Sequence, residues 1–378
     1  MKILFLNYEY PPLGGGAANA TYHLLSEISR SHSDIYIDAI VSSPAGDSKE
    51  LLGENVTIHK IDIGKNNNLH YQSNVDLITY LFKANSLVGK ILKKDKYDLI
   101  HAFFAVPCGI ITQLPNRNLP YIISLRGSDV PGYSNRYRFL YPLIKPLFRK
   151  ICSSASSVVS NSNGLRNLAQ KTIQNKFPIE VIPNGVDTDF FSTPVPPFRG
   201  QGGLLTVGRL IPRKGFAQLI NSTALLINEG IDLSLNIAGE GPERTTLESL
   251  IAKHKLENKI HLLGLCSQEQ LKVHYQQANI FVLPSRNEGM SNALLEAMSC
   301  GLPVITTNTG GAEELINGNG IIIKPDNENE LTGALRRMAT DNAMRTNFGL
   351  QSRNRALTFS WKSTADDYIA LYRKAVQK

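Results

Sequence analysis

The chain has 378 residues, enough for two domains of ordinary size, each with its own core. Hydrophobic content of 42% and charged content of 19% describe a folded globular protein and exclude a disordered one, and a net charge of +8 is modest. Four cysteines, Cys108, Cys152, Cys266 and Cys300, lack paired spacing, which argues for reduced thiols and against a disulfide framework or a zinc site.

The N-terminus MKILFLNYEY is too short and too quickly polar for a secretory signal, and no apolar run reaches the length of a membrane span, so a cytoplasmic location is expected. Residues 2–7, KILFLN, read as the buried first strand of an open α/β sheet. The turn PPLGGG then leads into the helical pattern AANATYHLLSEISR, where glycines let the backbone approach a ligand at a helix N-terminus. This turn is neither the dinucleotide fingerprint nor a Walker loop. Strand and helix signals alternate onward through IYIDAIVSS, VTIHKIDI, a helix from about Val75 to Lys94, and the strand YDLIHAFFA. His101 falls at the carboxyl end of that strand, where open sheets place ligand contacts, although a lone histidine there is as readily structural. The next strand ends in Arg126, Gly127, Ser128 and Asp129, a charge pair beside a glycine that suits either a cleft lining or a loop salt bridge.

Between Asp129 and Glu180 no residue is acidic, while Arg136, Arg138, Lys145, Arg149, Lys150, Arg166, Lys171 and Lys176 are basic. Within this stretch RYRFLYPLIKPLFRKICSSAS mixes aromatic, apolar and basic residues, and its two internal prolines predict a break in any single helix. It reads either as a helix pair with a solvated basic face or as a patch that settles on anionic lipid. Nucleic acid is not expected as a partner, because stacking motifs and a matching fold are missing. ASSVVSNSNG is a further strand, IEVIPNGVDTDFF closes the first domain, and STPVPPFRGQGG reads as a linker.

The pattern restarts with LLTVGRLIPRKGFAQLI, where Arg209 and Lys214 flank a turn and can converge on a diphosphate, with Arg213 expected to point elsewhere. LSLNIAGEGPERTTLESLI and KIHLLGLCSQEQLKVHY supply two more strand and helix pairs, the first with a glycine turn at Gly239 and Gly241. After the strand FVLPS comes RNEGMSNALLEAMSCGLPV, with Glu288 and Glu296 separated by seven residues. Ser291 or Asn292 can cap a helix whose apolar run is Ala293, Leu294, Leu295, Ala297 and Met298, and Gly301 with Pro303 ends it. First-turn amides and the helix dipole between the two glutamates make an anion site. Carboxylate, anion site and carboxylate fit a sugar, a diphosphate and a ribose in that order. TNTGGAEELI is a second glycine turn into a helix, and FSWKSTADDYIALYRKAV is a terminal amphipathic helix.

With FVLPS before it and PVITTN after it, the Glu-x7-Glu element resembles the signature of the retaining GT-B glycosyltransferases of family 4, and the likeness extends over nearly the whole chain. The resemblance implies an α/β, GT-B fold of two facing Rossmann-like domains with an interdomain cleft. Residues 1–192 would bind the acceptor, 193–357 the nucleotide sugar, and 358–378 would form a helix crossing back to the first domain, anchored by Trp361. It implies that Glu296 holds the ribose hydroxyls, that Glu288 and His101 lie near the transferred sugar, and that Arg209 and Lys214 bind the diphosphate. Gly289, Met290, Ser291, Asn292, Ala293 and Leu294 would surround the donor, with Gly15 and Gly16 facing its phosphates. Gly239 and Gly241 would lie near the nucleotide, and Gly264 and Leu265 would contact its base. Family members often carry His-Gly-x-Asp where this chain has Arg126, so Arg126, Ser128 and Asp129 are implied as acceptor contacts without proton transfer. Asp187 and Asp189 imitate a metal-binding DxD, but VIPNGVD before an aromatic is the family's usual interdomain segment, and no metal or other cofactor is implied. The implied function is retaining transfer of a hexosyl or N-acetylhexosaminyl group from a nucleotide diphosphate sugar, foremost a UDP-sugar. The receiving hydroxyl would belong to a glycan or lipid-linked acceptor in bacterial surface polysaccharide synthesis, at the inner membrane face. A sugar phosphorylase, a glycoside hydrolase and an inactive nucleotide-sugar-binding subunit are the lesser alternatives.

Overall fold

A computed structural model describes residues 1–65, 69, 72–114, 119–133, 141–173, 177–194 and 203–377. These form two compact units, Met1–Gly185 with Trp361–Lys378, and Val186–Ser360.

In the first unit short apolar strands alternate with amphipathic helices in the order β1 (Lys2–Asn7), α1 (Gly16–Ser31), β2 (Tyr36–Ser43), β3 (Ser48–Leu51), β4 (Val56–Asp62), α2 (Asn74–Lys94), β5 (Leu99–Phe103), α3 (Cys108–Ile111), β6 (Tyr121–Leu125), α4 (Tyr141–Ser153), β7 (Ser157–Ser160), α5 (Asn163–Ile173) and β8 (Ile179–Val181). The sheet order is β3-β4-β2-β1-β5-β6-β7-β8, parallel throughout except for β3, which pairs antiparallel with β4. β5 and β6 are buried along their whole length, as strands covered on both faces must be. The chain reverses its direction of travel at β1, which lies between β2 and β5, so the loops after β1 and β5 diverge at the carboxyl edge.

The second unit runs β9 (Gly203–Val207), α6 (Phe216–Asn228), β10 (Ser234–Ala238), α7 (Arg244–His254), β11 (Ile260–Gly264), α8 (Gln268–Gln277), β12 (Ile280–Leu283), α9 (Asn292–Ser299), β13 (Val304–Thr307), α10 (Ala312–Leu315), β14 (Gly320–Ile323), α11 (Glu328–Thr340) and α12 (Asn342–Ala356). Its six strands lie in the order β11-β10-β9-β12-β13-β14, all parallel, with the reversal between β9 and β12. Helix α13 (Trp361–Val376) then returns to the first unit.

Two sequence expectations change here. The first unit ends at Gly185 rather than 192, because Val186 and Phe191 are buried in the second unit's core and Arg353 Nη1 donates to the carbonyls of Thr188 and Phe191. The helical segment α4 is unbroken, with Pro146 inside it. Pro142 sits in the first turn, where its missing N–H would have no partner, and Pro146 is exposed, so the carbonyl it leaves unbonded can face water. Between the two readings left open for this basic stretch, the first core claims Phe148, which is fully buried. Arg136, Tyr137, Arg138, Phe139 and Lys176 lie outside the described residues, as do the side chains of Tyr141 and Leu143 and residues 195–202 of the linker.

Helix α13 is held by a buried apolar face that includes Ala365, Tyr368, Ile369 and Tyr372, and by Trp361, which stacks on His23 with ring centroids 5.4 Å apart. Trp361→Ala should therefore destabilise the first unit by about 3–5 kcal/mol, the usual cost of truncating a buried large aromatic. Urea unfolding monitored by far-ultraviolet circular dichroism would show this, and an unchanged midpoint would mean that α13 is not anchored through Trp361.

Candidate functional site

In the second unit the reversal between β9 and β12 brings two loops together. The β9 loop makes a tight turn at Pro212–Lys214 and leaves through Gly215 at φ +72°, where a Cβ would lie 2.3 Å from the carbonyl oxygen of Pro284. Only glycine allows that approach. The loops are then latched in both directions, since Arg286 N–H donates to Arg213 O at 2.7 Å and Arg213 Nη1 donates to Asn287 O at 3.0 Å. Arg213, expected to point away, is thus part of the latch.

The latch carries Lys214 onto Glu288, with Nζ to Oε1 at 2.5 Å and each side chain only 12% exposed. The lysine stem passes over Gly208, where a Cβ would be 3.2 Å from Lys214 Cε. Burial pushes the Glu288 carboxyl up, but the charges of Lys214 and Arg213 more than offset this and hold it below the usual carboxylate range. Glu288 is therefore ionised at neutral pH. On its other side Gly310 packs backbone to backbone, a Cβ there lying 1.9 Å from Glu288 O and 2.3 Å from Gly289 O. Thr307 Oγ1 also donates to Ser285 O, so the 285–290 loop is fixed from β13 as well as from β9.

Helix α9 follows directly. Ser291 is its N-cap, with Oγ accepting from Leu294 N–H at 3.3 Å and its carbonyl from Leu295 N–H at 3.2 Å. Met290 and Leu294 are buried, and Asn292 and Ala293 are half-buried. Glu296 lies in the second turn and accepts a 2.9 Å hydrogen bond from Tyr275 Oη on α8. Burial pushes its carboxyl up to about 7, with the Tyr275 bond pulling the other way. Tyr275 carries no motif in the sequence; only the packing of α8 against α9 reveals it.

Gly239 at φ +143° and Gly241 close the β10 edge, where Cβ atoms would lie 1.9 Å from Gly208 O and 2.4 Å from Leu210 O. Gly239 N–H donates to Gly264 O at 2.8 Å, which ties the β11 end to the same group, and Leu265 beside it is exposed. Arg209 is exposed on the β9 loop between Gly208 and Leu210. Arg209, Lys214, Gly239, Gly241, Gly264 and Glu288 thus all belong to the carboxyl edge of the second sheet, the edge at which open α/β sheets bind ligands.

The first unit places its candidates less uniformly. Gly15 caps α1 with open space at its Cβ position, Gly16 begins the helix, and the carboxylate of Glu9 lies 3.4 Å from Gly15 N. Arg126 donates from Nη2 to Asn184 Oδ1 at 2.5 Å and stacks on Phe103 at 4.2 Å, while Ser128 is exposed. Asp129 is corrected as an acceptor contact: it is buried, and its carboxylate accepts from the backbone N–H groups of Ala105, Arg126 and Gly127 at 2.7, 3.0 and 3.0 Å. It braces the loop that presents Arg126. His101 is also corrected, because it is fully buried within β5, with Nδ1 2.7 Å from Tyr372 Oη and Nε2 2.7 Å from Ser124 Oγ. Burial pushes its pKa down to about 3, with the Arg126 charge adding to the effect, so the ring is neutral and joins α13 to the sheet. Asp187 Oδ1 accepts from the backbone N–H groups of Asp189 and Phe190, a turn cap. Among the described residues no cluster of three or more His, Cys, Asp or Glu could hold a metal, and no helix is long and apolar enough to cross a membrane.

The raised carboxyl of Glu296 has a measurable consequence. The folded chain keeps its proton to about pH 7, whereas an unfolded glutamate releases it near 4.5, so stability contributed at this site is present at low pH and is lost as pH rises through 7. Glu296→Gln should raise the melting temperature of the unit Val186–Ser360 at pH 8 by about 2–4 °C, as about 1 kcal/mol would in a unit of this size, and by less at pH 5. Calorimetry at the two pH values checks this; an equal shift at both would mean that Glu296 is not the titrating group.

Family models match both halves of the chain: "Glycosyltransferase Family 4" over residues 14–190 and "Glycosyl transferases group 1" over residues 192–355. An uncharacterised glycosyltransferase of Methanocaldococcus jannaschii is 27% identical over 96% of this chain and 95% of its own length. Among solved structures, sucrose-phosphate synthase from Thermosynechococcus elongatus superposes with a TM-score of 0.86 at 21% identity, covering 99% of this chain and 98% of its own. HepE from Anabaena, solved with UDP and glucose, gives 0.69 at 20% identity with 98% of each chain covered. The fold is therefore GT-B, and the chain belongs to the family 4, group 1 glycosyltransferases.

Proposed function

We propose that this glycosyltransferase takes a hexosyl or N-acetylhexosaminyl group from a UDP-sugar and passes it, with retention at the anomeric carbon, to a hydroxyl of a lipid-linked glycan in surface polysaccharide assembly. The observation that carries the reading is the Lys214–Glu288 pair set at the carboxyl edge of the second sheet, immediately before the capped N-terminus of α9 and Glu296. UDP and glucose in HepE support this donor class, and the sequence from Glu288 to Ile305 resembles that of bacterial enzymes that build surface polysaccharides.

In the proposed reaction the bond from sugar C1 to the phosphate oxygen breaks and a bond from C1 to the acceptor oxygen forms. The acceptor proton goes to the departing phosphate oxygen on the same face, so no covalent enzyme intermediate is needed and configuration is kept. Lys214, Arg209 and the first-turn amides of α9 stabilise the negative charge that grows on the diphosphate. Glu288, held ionised by Lys214 and Arg213, is not a proton donor at neutral pH; a fixed carboxylate there suits a sugar that turns oxocarbenium-like. Glu296 holds the ribose hydroxyls, whose hydrogen bonds favour its ionised form. Arg126 and Ser128, in the loop after β6, are the acceptor-side contacts in this scheme, and no metal or other cofactor takes part. A screen of UDP-, GDP- and ADP-sugars for slow hydrolysis tests the donor: release of UDP alone supports it, and release of only another nucleotide replaces it.

Two variants divide the roles. Lys214→Ala should lower kcat by about 10²–10³, as loss of one preorganised donor does. It also leaves Glu288 buried without its lysine, so turnover is read at a temperature where circular dichroism shows the variant folded. Turnover at the parent rate would make Lys214 a structural residue. Glu296→Ala should instead weaken UDP binding by about 1.5–3 kcal/mol with a smaller change in kcat, since ribose is held alike in ground and transition states. Titration calorimetry with UDP decides this, and unchanged affinity with collapsed turnover would move Glu296 to the reacting centre.

A further inference from the structure

Helix α2 faces two environments. Tyr80, Ala84 and Val88 are buried and pack into the first unit's core, which completes the apolar face that the helix needs for folding. The opposite side carries a second apolar stripe: Val75 is 71% exposed, Ile78 55% and Phe82 70%. These positions fall three and four residues apart, so the side chains line up along two turns. Exposed apolar side chains scattered singly are ordinary, but three aligned on one helix form a patch that calls for a partner.

The side of α2 turned to solvent continues into cations, with Lys90 and Lys93 exposed, while the exposed Lys83 donates from Nζ to Asp62 O at 2.6 Å. The sole acid from Asn74 to Lys94 is Asp76, and it is neutralised within the N-terminal cap, accepting from Ser73 N–H at 2.7 Å and Lys65 Nζ at 2.5 Å. An apolar half followed by a cationic half, with no opposing acid on the helix, is complementary to an anionic lipid surface. The apolar groups enter the headgroup boundary while the lysines keep their charges at the phosphates. Because α2 follows the carboxyl end of β4, its apolar end lies at the carboxyl edge of the first sheet. Gly14 N–H donates to Leu69 O at 3.0 Å, which ties Leu69 to the glycine turn before α1.

We infer that α2 is a membrane-docking element that seats the first unit on an anionic lipid surface through Val75, Ile78 and Phe82, with Lys90 and Lys93 at the lipid phosphates. This docking face is distinct from the basic stretch around α4, where Phe148 is core and Arg149 Nε donates to Thr172 O. It does not rest on the donor or acceptor proposed above, because binding is read without turnover.

Co-sedimentation with vesicles tests it, comparing phosphatidylcholine alone with an equimolar mixture of phosphatidylcholine and phosphatidylglycerol. The parent should sediment with the mixed vesicles and not with the neutral ones. Ile78→Ser with Phe82→Ser should abolish binding, and Lys90→Glu with Lys93→Glu should weaken it at least about fivefold per lysine. All four positions are exposed, so melting temperatures and solution hydrolysis of the donor should stay at parent values, which separates loss of docking from loss of fold. Equal sedimentation of parent and both variants, or no sedimentation at all, overturns the inference. Light scattering that shows a dimer dispersed by Ile78→Ser with Phe82→Ser, with lipid binding unaltered, overturns it in favour of a second copy as the occupant.

Discussion

The contact between Lys214 and Glu288 is the constraint to which the second unit's carboxyl edge is fitted. Exposed ion pairs contribute little, about 0–1 kcal/mol, because water screens them and two long side chains must be held in one geometry. This pair is nearly buried, so removing both charges from water has a large cost, and only fixed geometry lets mutual attraction offset it. The fixing is done by backbone. Gly215 against Pro284, Gly239 against Gly208 and Gly310 against Glu288 are approaches at which any side chain would strike a carbonyl, and the Arg213 and Arg286 bonds close the remaining freedom. A cation placed this way needs no reorganisation when an anion arrives, which is the condition under which electrostatic stabilisation is strongest.

The legible part of the sequence was the part governed by local periodicity. Strands such as Lys2–Asn7 and Val304–Thr307 are short apolar runs, and the helices between them show their buried stripe, so the α/β alternation could be read directly. The edge strand Ser48–Leu51 could not, because SKEL is polar and mostly exposed and becomes a strand only by pairing with Val56–Asp62. The unit boundary was also illegible: the segment after Gly185 follows the first domain in sequence but is claimed by Arg353 and the second core, contacts more than 150 residues away.

At the site, residue type was readable where a motif fixed it, and orientation was not. Arg213 and Lys214 are adjacent cations in a tight turn, and nothing in the order of letters says that one grips the Asn287 carbonyl while the other pairs with Glu288. Asp129 looked like a cleft carboxylate, yet three backbone amides take it up, and His101 looked like a strand-end ligand, yet helix α13 covers it from the far end of the chain. The same holds for α2. Its sequence NVDLITYLFKANSLVGKILKK has apolar residues all round, and only the packed structure separates Tyr80, Ala84 and Val88 inside from Val75, Ile78 and Phe82 outside.

The two signature glutamates have their carboxyl pKa values shifted in opposite directions although both are surrounded by protein. Glu288 has two cations close by, and they overcome its burial; Glu296 has a tyrosine hydroxyl, which a neutral carboxyl can accept almost as well, so burial prevails. Two cations on one loop, Arg213 and Lys214, act on the carboxylate of Glu288, which is ionised throughout the neutral range. In the proposed reaction Lys214 has two claimants, Glu288 and the donor phosphate. The phosphate gains charge as the sugar leaves while Glu288 does not, so the balance at Lys214 shifts towards the leaving group as the reaction proceeds. An arginine placed there would bind Glu288 with a rigid fork and shift less readily, whereas an ammonium with three rotatable donors can be shared between both.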